Sequence, residues 1–308
     1  MPSTRAERAI TLARANMPPW RRFMPNRTVR RHVQGVDLYL PWSHLLPDYA
    51  KSRPSYGQNL VELAAGLASR LTAGSGPLQL LDVGANVGDS ALQIIARTGA
   101  TALCVEGDPY WAEYLRKNLG SNDHARIAEA LLTPAEGEWD SSTPVRVGGT
   151  TKFVQADGGS MPRVSVQKLR QLYPEFDDLR LVKSDTDGFD AMLVPAIAEV
   201  WKSAGPVLFF EFDPILTREA DKRDPNAMWG QLASLGYTHL AIWDNAGDPL
   251  GQLPIEQAAE QAASLEPRPV GLGYYFWDVA ACRADDTDAI EVFDALVPQP
   301  FDVRGIRR

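Results

Sequence analysis

From about Leu78 onward, short apolar runs alternate with stretches whose apolar residues recur at helical spacing. The runs at 78–84, 101–107, 126–132, 179–185, 206–212, 237–243 and 273–280 read as strands. Helices are expected between them near 88–98, 110–119, 188–203 and 226–235. This alternation predicts an α/β fold, a mostly parallel seven-stranded sheet with helices on both faces. The last two runs have no clear helix between them and read as a terminal antiparallel pair.

Upstream, Leu60 to Leu71 has the pattern of an amphipathic helix, and the turn-rich Thr72–Pro77 separates it from the first strand. Residues 134–165 are rich in Gly, Ser, Thr and Pro and break the rhythm, as a small β extension or a functional loop would. A length of 308 residues suggests roughly two domains at about 150 residues each. The pattern instead places one sheet domain at 78–282. It leaves an N-terminal extension at 1–77, expected as a cap or oligomer contact, and a C-terminal tail at 283–308.

Composition narrows the class. The chain is 44% hydrophobic and 23% charged, ordinary for a globular protein, and no run of 18 apolar residues marks a membrane span. Cys104 and Cys282 sit in apolar runs without a Cys/His cluster, so both read as reduced core residues and a zinc site is not expected. No apolar segment follows Arg5 and Arg8 as a secretory signal requires, and the cytoplasm is the default compartment. The net charge of −8 is uneven. The first 31 residues carry eight arginines against Glu7, about +7, which leaves about −15 for the rest. An acidic body argues against non-specific nucleic-acid binding. The basic arm is expected as a solvated lid or an oligomer contact, and homo-oligomerisation stays open.

The strongest local signal is Asp82-Val-Gly84-Ala-Asn86-Val-Gly88-Asp89-Ser90, which leaves a strand and opens a helix. Gly84 permits the sharp turn and Gly88 close packing, while backbone amides at the helix start favour an anionic group. A dinucleotide fingerprint would have a glycine where Asn86 stands, so a zwitterionic amino-acid head suits the turn better than a pyrophosphate. Asp82 is placed to take the ammonium of such a head. The next strand ends in Glu106-Gly107-Asp108, and an acid there is positioned to accept both ribose hydroxyls. Turn and acid together describe a nucleoside with an amino-acid tail, S-adenosylmethionine. The expected cofactor contacts are Asp82, Gly84, Asn86, Gly88, Ser90, Glu106, Gly107 and Asp108, with Trp111 a candidate flank for adenine.

LLDVGANVGDSAL, CVEGDP and LVKSDTDGFDAML, in that order, resemble the FkbM family of S-adenosylmethionine-dependent methyltransferases. The resemblance covers roughly 55–245, and weakly Leu45–Tyr49 and Tyr56 upstream. It implies a class I methyltransferase fold, Rossmann-like, and O-methylation of a small molecule or sugar, as in natural-product biosynthesis. The third segment has Asp187 and Asp190 where the family usually has glutamates. Val166-Gln167-Lys168-Leu169 lacks the Leu-Asp pair that the family often carries before the fourth strand.

An alcohol acceptor needs its proton removed or its charge stabilised. Asp185, Glu211 and His44 are the candidate catalytic groups. Asp185, Asp187 and Glu211 are alternatively a set of oxygen ligands for Mg²⁺. Lys183 is expected to pair with a carboxylate or to lie near the cofactor. Asp213 reads as a turn residue and Asp190 as a helix-dipole partner. The competing functions are N-methylation, a nicotinamide oxidoreductase on a similar sheet, and a non-catalytic cofactor-binding module.

Overall fold

The computed structural model describes residues 27–72, 74–137, 142–147, 150–155, 161–221, 223–265 and 276–302. Of the arginine arm, only Arg27, Arg30 and Arg31 fall among them. The chain begins with a hairpin of β1 (Thr28–Val33) and β2 (Val36–Pro41), then α1 (Leu46–Ser52) and α2 (Gln58–Ala68). The βα units follow: β3 (Gln79–Val83), α3 (Asp89–Thr98), β4 (Thr101–Val105), α4 (Pro109–Leu119) and β5 (Ala125–Ala128). The segment that interrupts the rhythm holds β6 (Leu131–Thr133), β7 (Ser142–Val147), β8 (Thr150–Gln155) and β9 (Arg163–Ser165), and then α5 (Val166–Leu172). The rest is β10 (Leu181–Ser184), α6 (Asp190–Val200), β11 (Val207–Phe212), α7 (Pro214–Asp221), α8 (Ala227–Ser234), β12 (Tyr237–Asp244), β13 (Pro249–Pro254), α9 (Ala258–Ala262), β14 (Trp277–Arg283) and α10 (Thr287–Leu296).

Eight strands form the main sheet in the order β13-β12-β14-β11-β10-β3-β4-β5. The pairs β11–β10, β10–β3, β3–β4 and β4–β5 are parallel, and the three pairs at the other end are antiparallel. This is the expected α/β, Rossmann-like class. The chain runs outward from β3 to β5 on one side and restarts at β10 beside β3, so strand order reverses between β3 and β10. The crevice beyond the carboxyl ends of those two strands is where such a sheet binds ligands.

Both faces of the sheet are covered. Leu81, Leu103, Val182, Leu208 and Phe210 pack under α5, α6 and α8. Leu80, Ala102, Leu181, Val207 and Phe209 pack under α2, α3, α4 and α10. A smaller cluster joins Val33, Val36, Leu38 and Leu40 of the hairpin to Val87, Trp111 and Tyr114, which holds the N-terminal hairpin over the start of α3 and α4.

The sheet differs from the sequence reading in three places. The run at 126–132 divides, because the chain leaves the sheet after Ala128 and β6 pairs with β9 instead. An eighth strand, β13, adds an edge beyond β12. The segment after Cys282, read without elements, forms α10, whose Ala289, Val292 and Phe293 are buried. Its start is tied down by Asp286, which caps Ala289 N and accepts two hydrogen bonds from Arg180 at 2.6 and 2.9 Å.

Candidate functional site

The turn after β3 is shaped by backbone. Gly84 has φ of 70°, and a Cβ there would overlap the carbonyl oxygen of Asp185. The two strand ends flanking the switch point can approach this closely only because position 84 is glycine. Gly88 serves a different contact, since a Cβ there would strike Leu115 and Leu119 of α4. Among the described residues three non-glycines have positive φ, and two of them, Asn86 (51°) and Asp187 (52°), line the same pocket. Backbone held in this region concentrates at functional sites.

The pocket encloses about 680 Å³ of open space, mouth included. Its floor is Val83, Gly84, Asn86, Glu106 and Gly107, its apolar wall Leu131, Leu132, Phe189 and Leu193, and its far side Asp185, Thr186 and Asp187. Trp111 closes one flank. The Glu106 carboxylate joins the two turns, Oε2 accepting from Asn86 N at 2.8 Å and Oε1 from Asp108 N at 2.7 Å. Burial raises its pKa to about 7, against the pull of those two amides. Each oxygen keeps a lone pair for a further donor.

Beneath the turn, Lys183 and Asp82 are register neighbours on parallel strands. Lys183 Nζ lies 3.0 Å from Asp82 Oδ1, donates to Gly84 O at 2.9 Å, and approaches Asp185 Oδ2 at 3.8 Å. Burial works against the lysine's charge, but Asp82 and Asp185 outweigh it and hold its pKa above the usual value. Burial pushes the Asp82 carboxyl up and Lys183 opposes this, so the two are best described as a buried ion pair.

Further along the rim, Glu211 of β11 stands opposite Asp278 of β14 in the antiparallel ladder. Burial drives the Glu211 pKa well above the usual range, and Asp185, Asp187, Asp190 and Asp278 add to the effect. Asp278, with a pKa of about 7 by burial, accepts from Asn59 Nδ2 of α2 at 2.8 Å.

Of the residues expected from sequence, Gly84, Asn86, Glu106, Gly107, Trp111, Asp185 and Asp187 come together around the pocket. Four expected cofactor contacts are not among the residues that line it. Asp82 is fully buried and the ammonium beside it is that of Lys183. Gly88 packs on α4, and Ser90 lies in the first turn of α3. Asp108 is fully buried and caps α4 by accepting from Tyr110 N at 2.9 Å.

His44, a candidate base from the sequence, is held by its neighbours beside the pocket floor. Its Nδ1 accepts from Leu46 N at 3.2 Å, which puts the ring proton on Nε2, facing Asn86. Burial lowers its pKa to about 4, and Trp111 packs edge-on at 5.4 Å. The histidine braces Asn86 and Trp111. The expected Mg²⁺ set of Asp185, Asp187 and Glu211 gains no support, since among the described residues no three His, Cys, Asp or Glu side chains are arranged to hold a metal ion. Asp190 does more than face a helix dipole, since it accepts from Ser184 Oγ at 2.6 Å and Thr186 N at 3.2 Å and fixes the loop after β10. Asp213 accepts from Ile215 N and Leu216 N, both at 2.8 Å, as a turn residue does.

Sequence reasoning missed Asn59, Asp278 and Thr186. Asp278 carried a usable signal, an acid breaking an apolar strand, whereas Asn59 meets it only through the fold.

No family model matches the chain, and no curated protein matches it. Solved structures do. A precorrin-6y C5,15-methyltransferase from Geobacter metallireducens GS-15 is 12% identical over 72% of this chain and 86% of that one, with a TM-score of 0.39. TYW2 from M. jannaschii, solved with AdoMet, is 10% identical over 85% and 89%, with a TM-score of 0.42. A tRNA (uracil-54, C5)-methyltransferase from Pyrococcus abyssi, solved with S-adenosyl-L-homocysteine, is 11% identical over 85% and 45%, with a TM-score of 0.40. These likenesses are at the level of the fold.

Proposed function

We propose that this chain is an S-adenosylmethionine-dependent methyltransferase that methylates a hydroxyl of a small molecule or sugar, in the manner its FkbM-like motifs imply. One observation carries the reading. The Glu106 carboxylate, pinned by two amides at the floor of a pocket that also holds the Gly84–Asn86 turn, is where a ribose diol would be gripped. The cradle fits the cofactor in a further respect: Gly84 lets the turn close against the carbonyl of Asp185, which draws together the two strand ends that flank the crevice.

Glu106 would hold the ribose, Leu131, Leu132 and Trp111 the adenine, and the amides of the turn the amino-acid tail. Bound S-adenosylmethionine supplies an electrophilic methyl, so that a C–O bond to the acceptor forms as the S–C bond breaks. The chain's task is then to orient and to manage one proton. Orientation of the reacting groups contributes up to about 7–11 kcal/mol. Asp185 lines the pocket with its side chain 54% exposed, so it can take the acceptor's proton and pass it to water. Glu211, its pKa raised by burial and by its acidic neighbours, would lie beside the acceptor as a hydrogen-bonding partner.

Calorimetry with S-adenosylhomocysteine and NAD tests the reading. Binding of S-adenosylhomocysteine without NAD is expected. NAD binding without S-adenosylhomocysteine would overturn it in favour of an oxidoreductase.

A further inference from the structure

The turn that floors the pocket is gripped from a side that faces away from the reacting groups. The hairpin of β1 and β2 stands apart from the main sheet as a two-stranded sheet of its own. Two strands alone are marginally stable in water, so the hairpin depends on what it rests on. Its apolar residues Val33, Val36, Leu38 and Leu40 pack on Val87, Trp111 and Tyr114. Val87 follows Asn86 in the turn, and Trp111 lines the pocket.

Asn118, near the end of α4, makes the polar half of this contact. Its Oδ1 accepts from Tyr39 N at 2.7 Å, and its Nδ2 donates to Tyr39 O at 3.1 Å and to Val87 O at 2.8 Å. The carboxamide thus meets the N–H and the C=O of one β2 residue, as a neighbouring strand would, and directs its second N–H to the turn. A carboxamide is suited to this place because it offers an acceptor and two donors together. A carboxylate would set an oxygen against two carbonyls, and an aliphatic side chain would remove the partner of a carbonyl on Val87, which is fully buried.

A second brace reaches the preceding residue. His44, just after the hairpin, turns Nε2 toward the Asn86 side chain and packs against Trp111. Asn86 has φ of 51°, and its N–H donates to the Glu106 carboxylate. A left-handed non-glycine residue persists where its surroundings over-determine it. Here those surroundings include the N-terminal element, which holds residues 86 and 87 from two directions.

We infer that the N-terminal hairpin is an integral part of the cofactor site, and that Asn118 is the positioning residue that joins the two. Asn118 does not line the pocket, and it acts through the Asn86–Val87 turn on Glu106. Docking of the hairpin and binding of the cofactor then favour each other by one and the same factor, because coupling between two sites is reciprocal. The inference rests on the methyltransferase reading and adds to it what sets the affinity of that pocket.

The test uses the full chain with S-adenosylhomocysteine as the probe. Hydrogen exchange of the β1 and β2 amides, through openings that leave the main sheet folded, is expected to slow about tenfold when the ligand is saturating. By calorimetry, Asn118→Leu is expected to bind S-adenosylhomocysteine about tenfold more weakly, the worth of about one hydrogen bond, and to lose the ligand-dependent slowing. Asn118→Asp, which keeps an acceptor for Tyr39 N but opposes the two carbonyls, is expected to behave alike. Arg180→Leu is the control. It breaks the pair with Asp286 at the amino end of β10, away from the turn, and is expected to lose stability with its affinity unchanged. Hairpin amides indifferent to the ligand, undiminished affinity in both Asn118 variants, or equal weakening by Arg180→Leu would overturn the coupling and leave the methyltransferase reading intact. Failure of the unmodified chain to bind S-adenosylhomocysteine would instead remove the reading on which the inference rests.

Discussion

Lys183 places its ammonium 3.0 Å from Asp82 Oδ1 across two parallel strands in register, with both side chains almost wholly out of solvent. The pair lies directly under the turn that forms the pocket floor, and Lys183 also donates to the carbonyl of Gly84 in that turn. It therefore fixes the turn to the strand beside it.

Removing one partner leaves a buried, uncompensated charge, which typically costs about 3–5 kcal/mol. Lys183→Met is expected to destabilise the chain by that order in urea unfolding. Lys183→Met combined with Asp82→Asn should recover a large part of the loss. If the double variant is no more stable than the single, the pair is not coupled as described.

Gly84→Ala is expected to be severe for a different reason. The new Cβ would meet backbone, the Asp185 carbonyl, at a residue with φ of 70°. No side-chain rotation relieves that contact, so β3 and β10 must separate at the switch point. A loss of roughly 2–4 kcal/mol is expected, with weakened S-adenosylhomocysteine binding. Unchanged unfolding and binding would show that the loop after β10 yields easily.

The parallel half of the sheet is legible because β3, β4 and β10 are buried on both faces and read as short, mostly apolar runs, with the Asp82–Lys183 pair set inside them. β13 escapes the same reading. Its PLGQLP is bounded by prolines and interrupted by Gly251, where the backbone of Phe301 packs close, and the 299–302 segment bonds to its outer side at Leu250 and Gln252. The pocket floor is also legible, since Gly84, Asn86 and Glu106 sit at short, fixed offsets from two strand ends. The rim around Asp278 is not, because Asn59 and Asp278 are 219 residues apart and meet only when α2 lies over β14. His44 shows how much of a residue's role lies in its surroundings. Residue type suggested a base, but burial and the Leu46 amide leave it no acceptor nitrogen to offer.

The buried acids set the pH dependence. Glu106 and Asp278 have pKa values near 7, and Asp89 and Asp190 near 6, all raised mainly by burial. An acid whose folded pKa exceeds its unfolded one binds more protons when folded. Its contribution to stability is full below the unfolded pKa and is lost as pH rises through the folded value. His44, lowered to about 4, acts in the opposite sense, but only as pH falls below the unfolded histidine value. Stability is therefore expected to fall from pH 5 to pH 8, each acid contributing at most about 1.4 kcal/mol per pH unit. Asp278→Asn should flatten the profile. A rising profile, or one untouched by the substitution, would contradict these directions.

Glu106→Gln tests the pocket floor most directly. The amide keeps the size of the side chain but can accept only through its oxygen, so either Asn86 N or Asp108 N then faces an NH₂ group. A charged acceptor for the ribose diol is lost at the same time, worth about 1.5–3 kcal/mol for hydrogen bonds to an ionised group. S-adenosylhomocysteine affinity should therefore fall about 10- to 150-fold by calorimetry. The pH dependence separates the carboxylate's role from mere loosening of the turn. With a folded pKa near 7, Glu106 is ionised to an increasing extent from pH 6 to pH 8, so binding to the unmodified chain should tighten over that range. The Gln variant has nothing to ionise there and should show a shallower dependence. Equal slopes in the two proteins would assign the affinity to the turn rather than to the Glu106 carboxylate.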